Sequence, residues 1–266
     1  MMKVFPLFSQ VLCLLIAGMN VFPRNSLAGR DTTGFEAIDQ YVSAQMRSAR
    51  IPGVSLAVVK GDQIVYLKGY GRADQDGRPV TPQTPLIIGS ISKAFTALAV
   101  MQLVEQGKVR LADRVSAYVP GFERYGKGDI TVRHLLTHTS GLRPDLDLTD
   151  EFEGYDTAIA RAVEEVPVAA PDERFIYSDI GFFLLGHIVQ RVSGQRLDEY
   201  AREHVFAPIG MVDTMFLPPA ALRPRIAPTE RCTPLGWPCG VPGQAMLRGI
   251  VHDPTARRMG GVAGHA

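Results

Sequence analysis

Gly89-Ser90-Ile91-Ser92-Lys93-Ala94-Phe95-Thr96-Ala97-Leu98-Ala99-Val100-Met101-Gln102-Leu103-Val104-Glu105 is the stretch from which the rest can be read. Its apolar residues fall nearly all round a helix of 3.6 residues per turn, which predicts a central buried helix over Ser90 to Glu105, stopped by Gly107. At its start a hydroxyl and an amine stand three residues apart, so Ser90 and Lys93 share one face. Ser90 would lie at the positive end of the helix dipole. Lys93, held among Ile91, Ala94 and Phe95, would be poorly hydrated, which favours a neutral amine. Such an amine can take the proton of a serine and turn it into a nucleophile. The spacing alone is a weak signal, and the buried helix behind it supplies the context.

Working outward, Phe35 to Arg47 has helical spacing. Val54 to Val59 and Gln63 to Gly69, split by Gly61-Asp62, read as a β-hairpin. Helices are expected over Thr131–Leu136, Ala158–Val166, Ile180–Val192 and Leu197–Val205. A two-stranded hairpin cannot cover so large a core alone, so either helices do all the packing or strands of the sheet are absent. Tyr177-Ser178-Asp179 precedes the apolar helix from Ile180. It offers a phenol that can relay a proton and a carboxylate that can accept hydrogen bonds or cap the helix.

Composition narrows the function. The 266 residues carry 28 Lys+Arg against 27 Asp+Glu, and only six of the 28 are Lys, which argues against a nucleic-acid binder working through a basic field. Lys3, the mostly apolar Val4 to Met19 and Ser26-Leu27-Ala28 read as a secretory signal peptide over residues 1–28, so the protein is expected to be exported, periplasmic or secreted, with no stable membrane span after cleavage. Removing that segment takes away Lys3 and Arg24 and no acid, leaving 26 bases against 27 acids, a net charge of −1. Cys232 and Cys239 would then share an oxidising space and could close a small disulfide loop or remain free thiols. Asp145, Asp147, Asp150 and Glu151 read as a solvated acidic loop. His252 and His265 lack metal-ligand spacing, so no metal is assigned.

Four ordered segments give a resemblance. They are Ile88 to Lys93, Ile130 to Leu142, Tyr177 to Gly186, and the pair Val251-His252-Asp253-Pro254 with Gly260 to Ala266. In them the chain resembles the serine β-lactamase and penicillin-binding-protein superfamily, in the branch of class C β-lactamases, D-alanyl-D-alanine carboxypeptidases and related esterases. The resemblance implies an α/β (α+β) fold, with an antiparallel sheet flanked by helices and a mostly helical subdomain. It makes residues 29–266 one hydrolase domain, incomplete at its C-terminus, where further strands are expected. Ser90 matches the acylated nucleophile, Lys93 its activating partner and Tyr177 the proton-shuttling tyrosine. The Ser90 backbone N–H matches half of the oxyanion hole.

Position 179, commonly Asn in that family, is Asp here. A carboxylate near Lys93 favours the charged lysine and shifts weight to Tyr177. The family's later Lys-or-His, Thr/Ser, Gly motif is absent, and His138-Thr139-Ser140-Gly141, in the wrong order to replace it, resembles a structural turn. No cofactor is implied. The implied substrate is a small molecule or peptide: a D-alanyl peptide, a β-lactam or a small ester. A catalytically inactive, peptidoglycan-binding relative is the other reading.

Overall fold

The structure, a computed structural model, describes residues 35–231 and 245–266. The expected signal peptide and the Cys232–Cys239 pair lie outside the described residues. The chain divides into two compact units.

The described part of the smaller unit runs to Leu86 and includes residues 224–228. It begins with helix α1 (Glu36–Ala49), whose C-cap Arg50 turns left-handed before Ile51-Pro52. Strands β1 (Gly53–Lys60) and β2 (Gln63–Gly71) form the expected antiparallel hairpin. Their register runs from Gly53 opposite Gly71 to Lys60 opposite Gln63, with an irregularity between Val58 and Val59 that increases local twist. Asp39 of α1 ties the helix to the hairpin: its carboxylate pairs with Lys68 at 2.8 Å and accepts hydrogen bonds from Tyr70 Oη at 2.6 Å and from Tyr66 Oη. Lys68 first, then the two phenols, lower that carboxyl to about 2.

The larger unit is mainly helical. A single 3₁₀ turn (Gly89–Ile91) leads into α2 (Ser92–Glu105), so Ser90 sits on the entry turn rather than in the α-helix expected to start there. Next come α3 (Val132–Leu136), α4 (Tyr155–Glu164) and α5 (Asp179–Ser193). α6 (Leu197–Tyr200) continues into a π-turn at Ala201–Phe206, and α7 (Pro254–Arg258) follows later. α5 is the central element. Ile180, Phe183, Leu184, Leu185, Ile188 and Val189 are all fully buried along it, each worth roughly 1.5–3 kcal/mol of apolar transfer. Gly194 ends it in the left-handed conformation that a helix C-terminus favours.

α2 packs against α5 and the π-turn, with the Phe95 and Phe206 rings edge to face at 5.0 Å. It buries one side only. Leu98 and Met101 stay 44% and 39% exposed, because within the unit α2 finds its partners along a single face. Among the described residues the sheet has two strands, and helices supply most of the packing. The fold is thus the mixed antiparallel-sheet and helix class expected. No helix among the described residues is long and apolar enough to cross a membrane.

α3 is only five residues long and depends on its cap. Thr131 Oγ1 accepts from the His134 backbone N–H at 3.4 Å, and His134 Nδ1 accepts from the Thr131 N–H at 3.0 Å. This reciprocal pair satisfies two otherwise orphaned donors. Thr131→Ala is expected to cost about 1 kcal/mol, which thermal unfolding would read as a fall of about 2–4 °C.

Candidate active site

Two helix starts converge in the larger unit. The 3₁₀ entry to α2 presents Ser90 to solvent, while Lys93 one turn later is buried, 6% exposed. Lys93 Nζ lies 3.1 Å from Ser90 Oγ and donates to it. From the second start, Ser178 caps α5: its Oγ accepts from the Gly181 N–H and donates to the Arg143 carbonyl at 2.6 Å. The capping role considered for Asp179 therefore belongs to Ser178. Asp179 is the first helical residue, where its charge suits the helix dipole. Its side chain is left to meet Lys93, with Oδ1 and Nζ 2.5 Å apart.

Lys93 Nζ also donates to the His265 carbonyl at 3.0 Å. It therefore donates to two oxygens, those of Ser90 and His265, and meets the Asp179 carboxylate as an ion pair. The ion pair with Asp179 makes Lys93 a charge-bearing hub, as a carboxylate at position 179 implies.

Tyr177 stands over this hub, with Nζ 4.7 Å from its ring centroid. The Tyr177 ring also stacks on His138, with centroids 4.5 Å apart. His138 sits in a left-handed turn (φ 58°) and touches Phe182 and Phe175 as well. Its Nδ1 accepts from the Ser178 N–H at 3.0 Å, which puts the ring proton on Nε2. The turn around His138 thus does more than reverse the chain: it carries the ring against which Tyr177 rests. Nothing local in His-Thr-Ser-Gly signals that role, because residue 138 reaches Tyr177 only through the tertiary fold.

Burial, and then the nearby Lys93 charge, hold His138 below its usual pKa. Protonation is therefore harder in the folded state, and this contribution to stability is complete above the ordinary value of about 6.5 and is lost as pH falls below it. Asn keeps a side-chain acceptor and tolerates the left-handed backbone. His138→Asn is expected to make the loss of stability below pH 6.5 less steep, measured by denaturant unfolding at a series of pH values. The slope that remains belongs to groups such as His187, also lowered by burial.

A second cluster adjoins the hub. Asp253 caps α7, its Oδ1 accepting from the Ala256 N–H at 2.7 Å. His265 Nε2 lies 2.9 Å from the same oxygen. Asp145 is bound by Thr255 Oγ1 at 2.9 and 3.0 Å and is half-buried, so the solvated-loop reading fails at this residue. Burial first, then the Asp253 charge, raise the Asp145 carboxyl. For Asp253 burial works in the same direction, but the His265 hydrogen bond and the His265 charge outweigh it and the carboxyl is lowered.

The chain belongs to the Beta-lactamase family, whose model matches residues 38–256. It is 33% identical over 189 residues to Protein flp of Staphylococcus aureus (strain MW2), covering 68% of this chain and 38% of that protein. It is 31% identical over 269 aligned residues to the Escherichia coli (strain K12) protein named "Putative D-alanyl-D-alanine carboxypeptidase", covering 90% of this chain and 61% of that one. A solved class C beta-lactamase superposes with a TM-score of 0.69 at 27% identity, over 77% of this chain and 56% of that one. The chain thus spans less than two thirds of the length of each.

Proposed function

We propose that the protein is an exported serine hydrolase that works through an acyl-enzyme on Ser90. The observation that carries this reading is the exposed Ser90 hydroxyl 3.1 Å from the buried Lys93 amine, with Tyr177 4.7 Å above it. Ser90 Oγ attacks an amide or ester carbonyl carbon. The Ser90 proton passes to Tyr177 Oη, acting as a phenolate beside the Lys93 ammonium, and from there to the departing nitrogen or oxygen. The Ser90 backbone N–H is the donor available for the developing oxyanion. Water, giving its proton to Tyr177, then attacks the acyl carbonyl, and that proton returns to Ser90 Oγ as the acyl bond breaks. The substrate class is D-alanyl peptides of peptidoglycan or β-lactams, supported by family membership and by the name of the Escherichia coli relative. Export is supported by the sequence from Lys3 to Ala28.

The test is mass spectrometry of the full-length protein after incubation with a fluorescent penicillin, a D-alanyl-D-alanine peptide or a short p-nitrophenyl ester. A covalent adduct on Ser90 supports the mechanism. Ester turnover without a penicillin adduct would move the protein to the esterases. No adduct and no turnover with any of the three would overturn the enzyme reading in favour of an inactive peptidoglycan-binding relative.

A further inference from the structure

Val251-His252-Asp253-Pro254 and Gly260 to Ala266 carry no role in the chemistry described so far, yet the two segments are joined through Asp253 and His265, and the second reaches Lys93. Gly264 and His265 lie with their backbone against the start of α2. The Gly264 carbonyl accepts from Thr96 Oγ1 at 2.7 Å, and the His265 carbonyl accepts from Lys93 Nζ at 3.0 Å. Thr96 and Lys93 are one helical turn apart, so two successive carbonyls dock on two successive turns of one face. Gly264 permits this closeness. Its φ is +87°, and a Cβ there would stand 2.9 Å from the Phe182 carbonyl.

The side chain of His265 anchors the docked segment. It is 1% exposed, packs its ring against Phe183 at 5.9 Å, and reaches Asp253 through Nε2 at 2.9 Å. An ionised Asp only accepts, so the imidazole donates. Asp253 is itself held rigid by capping α7, and Thr255 in the same first turn is held by Asp145. The neighbouring Pro144 carbonyl accepts from the Asp179 N–H at 2.7 Å. Hydrogen bonds thus tie the His265 segment to α7, α7 to Asp145, and the adjoining Pro144 to the start of α5. The ligand atoms of Asp179, Asp253 and His265 lie within 4.8 Å of one another, and the positive charge beside them is supplied by Lys93.

We propose that Asp253 and His265 are positioning residues for Lys93, holding the His265 carbonyl where it directs the Lys93 N–H groups and keeps Nζ in hydrogen-bonding reach of Ser90. This rests on the acyl-enzyme reading and adds to it. The lysine donates to two oxygens, the His265 carbonyl and Ser90 Oγ, while the Asp179 carboxylate holds its charge from the side, so the His265 bond fixes the direction left for Ser90. Freed of the His265 carbonyl, Nζ can swing about its flexible stem, and the Ser90 contact is made only part of the time.

The test uses the full-length protein with Asp253→Asn, His265→Ala and His265→Gln. Asn remains a good cap for α7, and Gln keeps a side-chain N–H for Asp253. The rate of Ser90 labelling at saturating fluorescent penicillin is expected to fall about tenfold in Asp253→Asn and in His265→Ala, the scale of one charge-assisted hydrogen bond. The half-saturating concentration should be unchanged, and His265→Gln should recover most of the rate. Asp253→Asn combined with His265→Ala should be no slower than either alone, since both break one link.

In ¹⁵N-lysine NMR, the Lys93 ammonium signal should shift and exchange its protons faster in Asp253→Asn. If His265→Ala does not fold, Asp253→Asn and His265→Gln carry the test. Labelling of folded Asp253→Asn at the parental rate with an unshifted Lys93 signal overturns the proposal, as does a loss seen only in the half-saturating concentration or additive loss in the double variant. A parent that is never labelled, but whose Lys93 signal still responds to Asp253→Asn, overturns the acyl-enzyme reading while supporting the positional link.

Discussion

Ser90→Ala is expected to abolish covalent labelling by penicillin and turnover of ester or D-alanyl peptide, a loss of roughly 10³-fold or more. The thermal transition should stay where it is. Ser90 is exposed, and its hydroxyl gives the fold one contact, received from Lys93. Removing one oxygen at the surface of the 3₁₀ entry turn creates no cavity and leaves Lys93 the His265 carbonyl and the Asp179 carboxylate. The two readouts must therefore separate. Labelling that survives in Ser90→Ala at the parental rate would place the nucleophile elsewhere. A protein that unfolds would make Ser90 a structural residue.

Lys93→Met is expected to move both readouts. Its side chain is 8% exposed and that of Asp179 21% exposed, so the substitution leaves a largely buried carboxylate without its partner. Breaking such a pair from one side costs about 3 kcal/mol, or about 6–12 °C in the thermal midpoint. Labelling of Ser90 should fall by roughly 10²–10⁴-fold, the range spanned by loss of a positioned acid–base group. A second substitution tells the two effects apart. Lys93→Met combined with Asp179→Asn removes the stranded charge and should recover part of the stability but none of the labelling. If labelling returns along with stability, Lys93 holds the fold and takes no part in the chemistry.

Much of the scaffold is legible in local pattern. The Asp-turn between two β-branched runs specifies the hairpin, because strand pairing across a short turn is a local event. The apolar stripe from Ile180 to Val189 specifies α5, because nearly every one of those residues has to leave water. Ser90 and Lys93 are legible for the same reason: three residues along a helical turn is a distance that the backbone itself sets. The exposed Leu98 and Met101 show where this kind of reading stops. Periodicity reports that a helix is apolar on every side but not which sides the rest of the unit covers.

The site is less legible than the scaffold, since most of its contacts join residues far apart in the chain. Asp179 meets Lys93 across 86 positions (179 less 93), and His265 meets it across 172. Asp145 sits in an acidic stretch that reads as solvated, and is drawn inward by Thr255, 110 positions away. His138 reads as a turn residue, and its left-handed backbone is one. Its ring supports Tyr177 only because α5 brings Tyr177 to it. By itself, then, the amino-acid sequence determined the hairpin, the helices, the pairing of Ser90 with Lys93 on one turn, and the family they belong to. All of these follow from neighbours within a turn or two of backbone, or from the order of such segments. Tertiary structure alone decided that Lys93 is paired with Asp179 and donates to the His265 carbonyl as well as to Ser90, and that Asp253 and His265 stand behind it. Directing an ammonium takes oxygens from several directions at about 3 Å, and one stretch of helix cannot supply them.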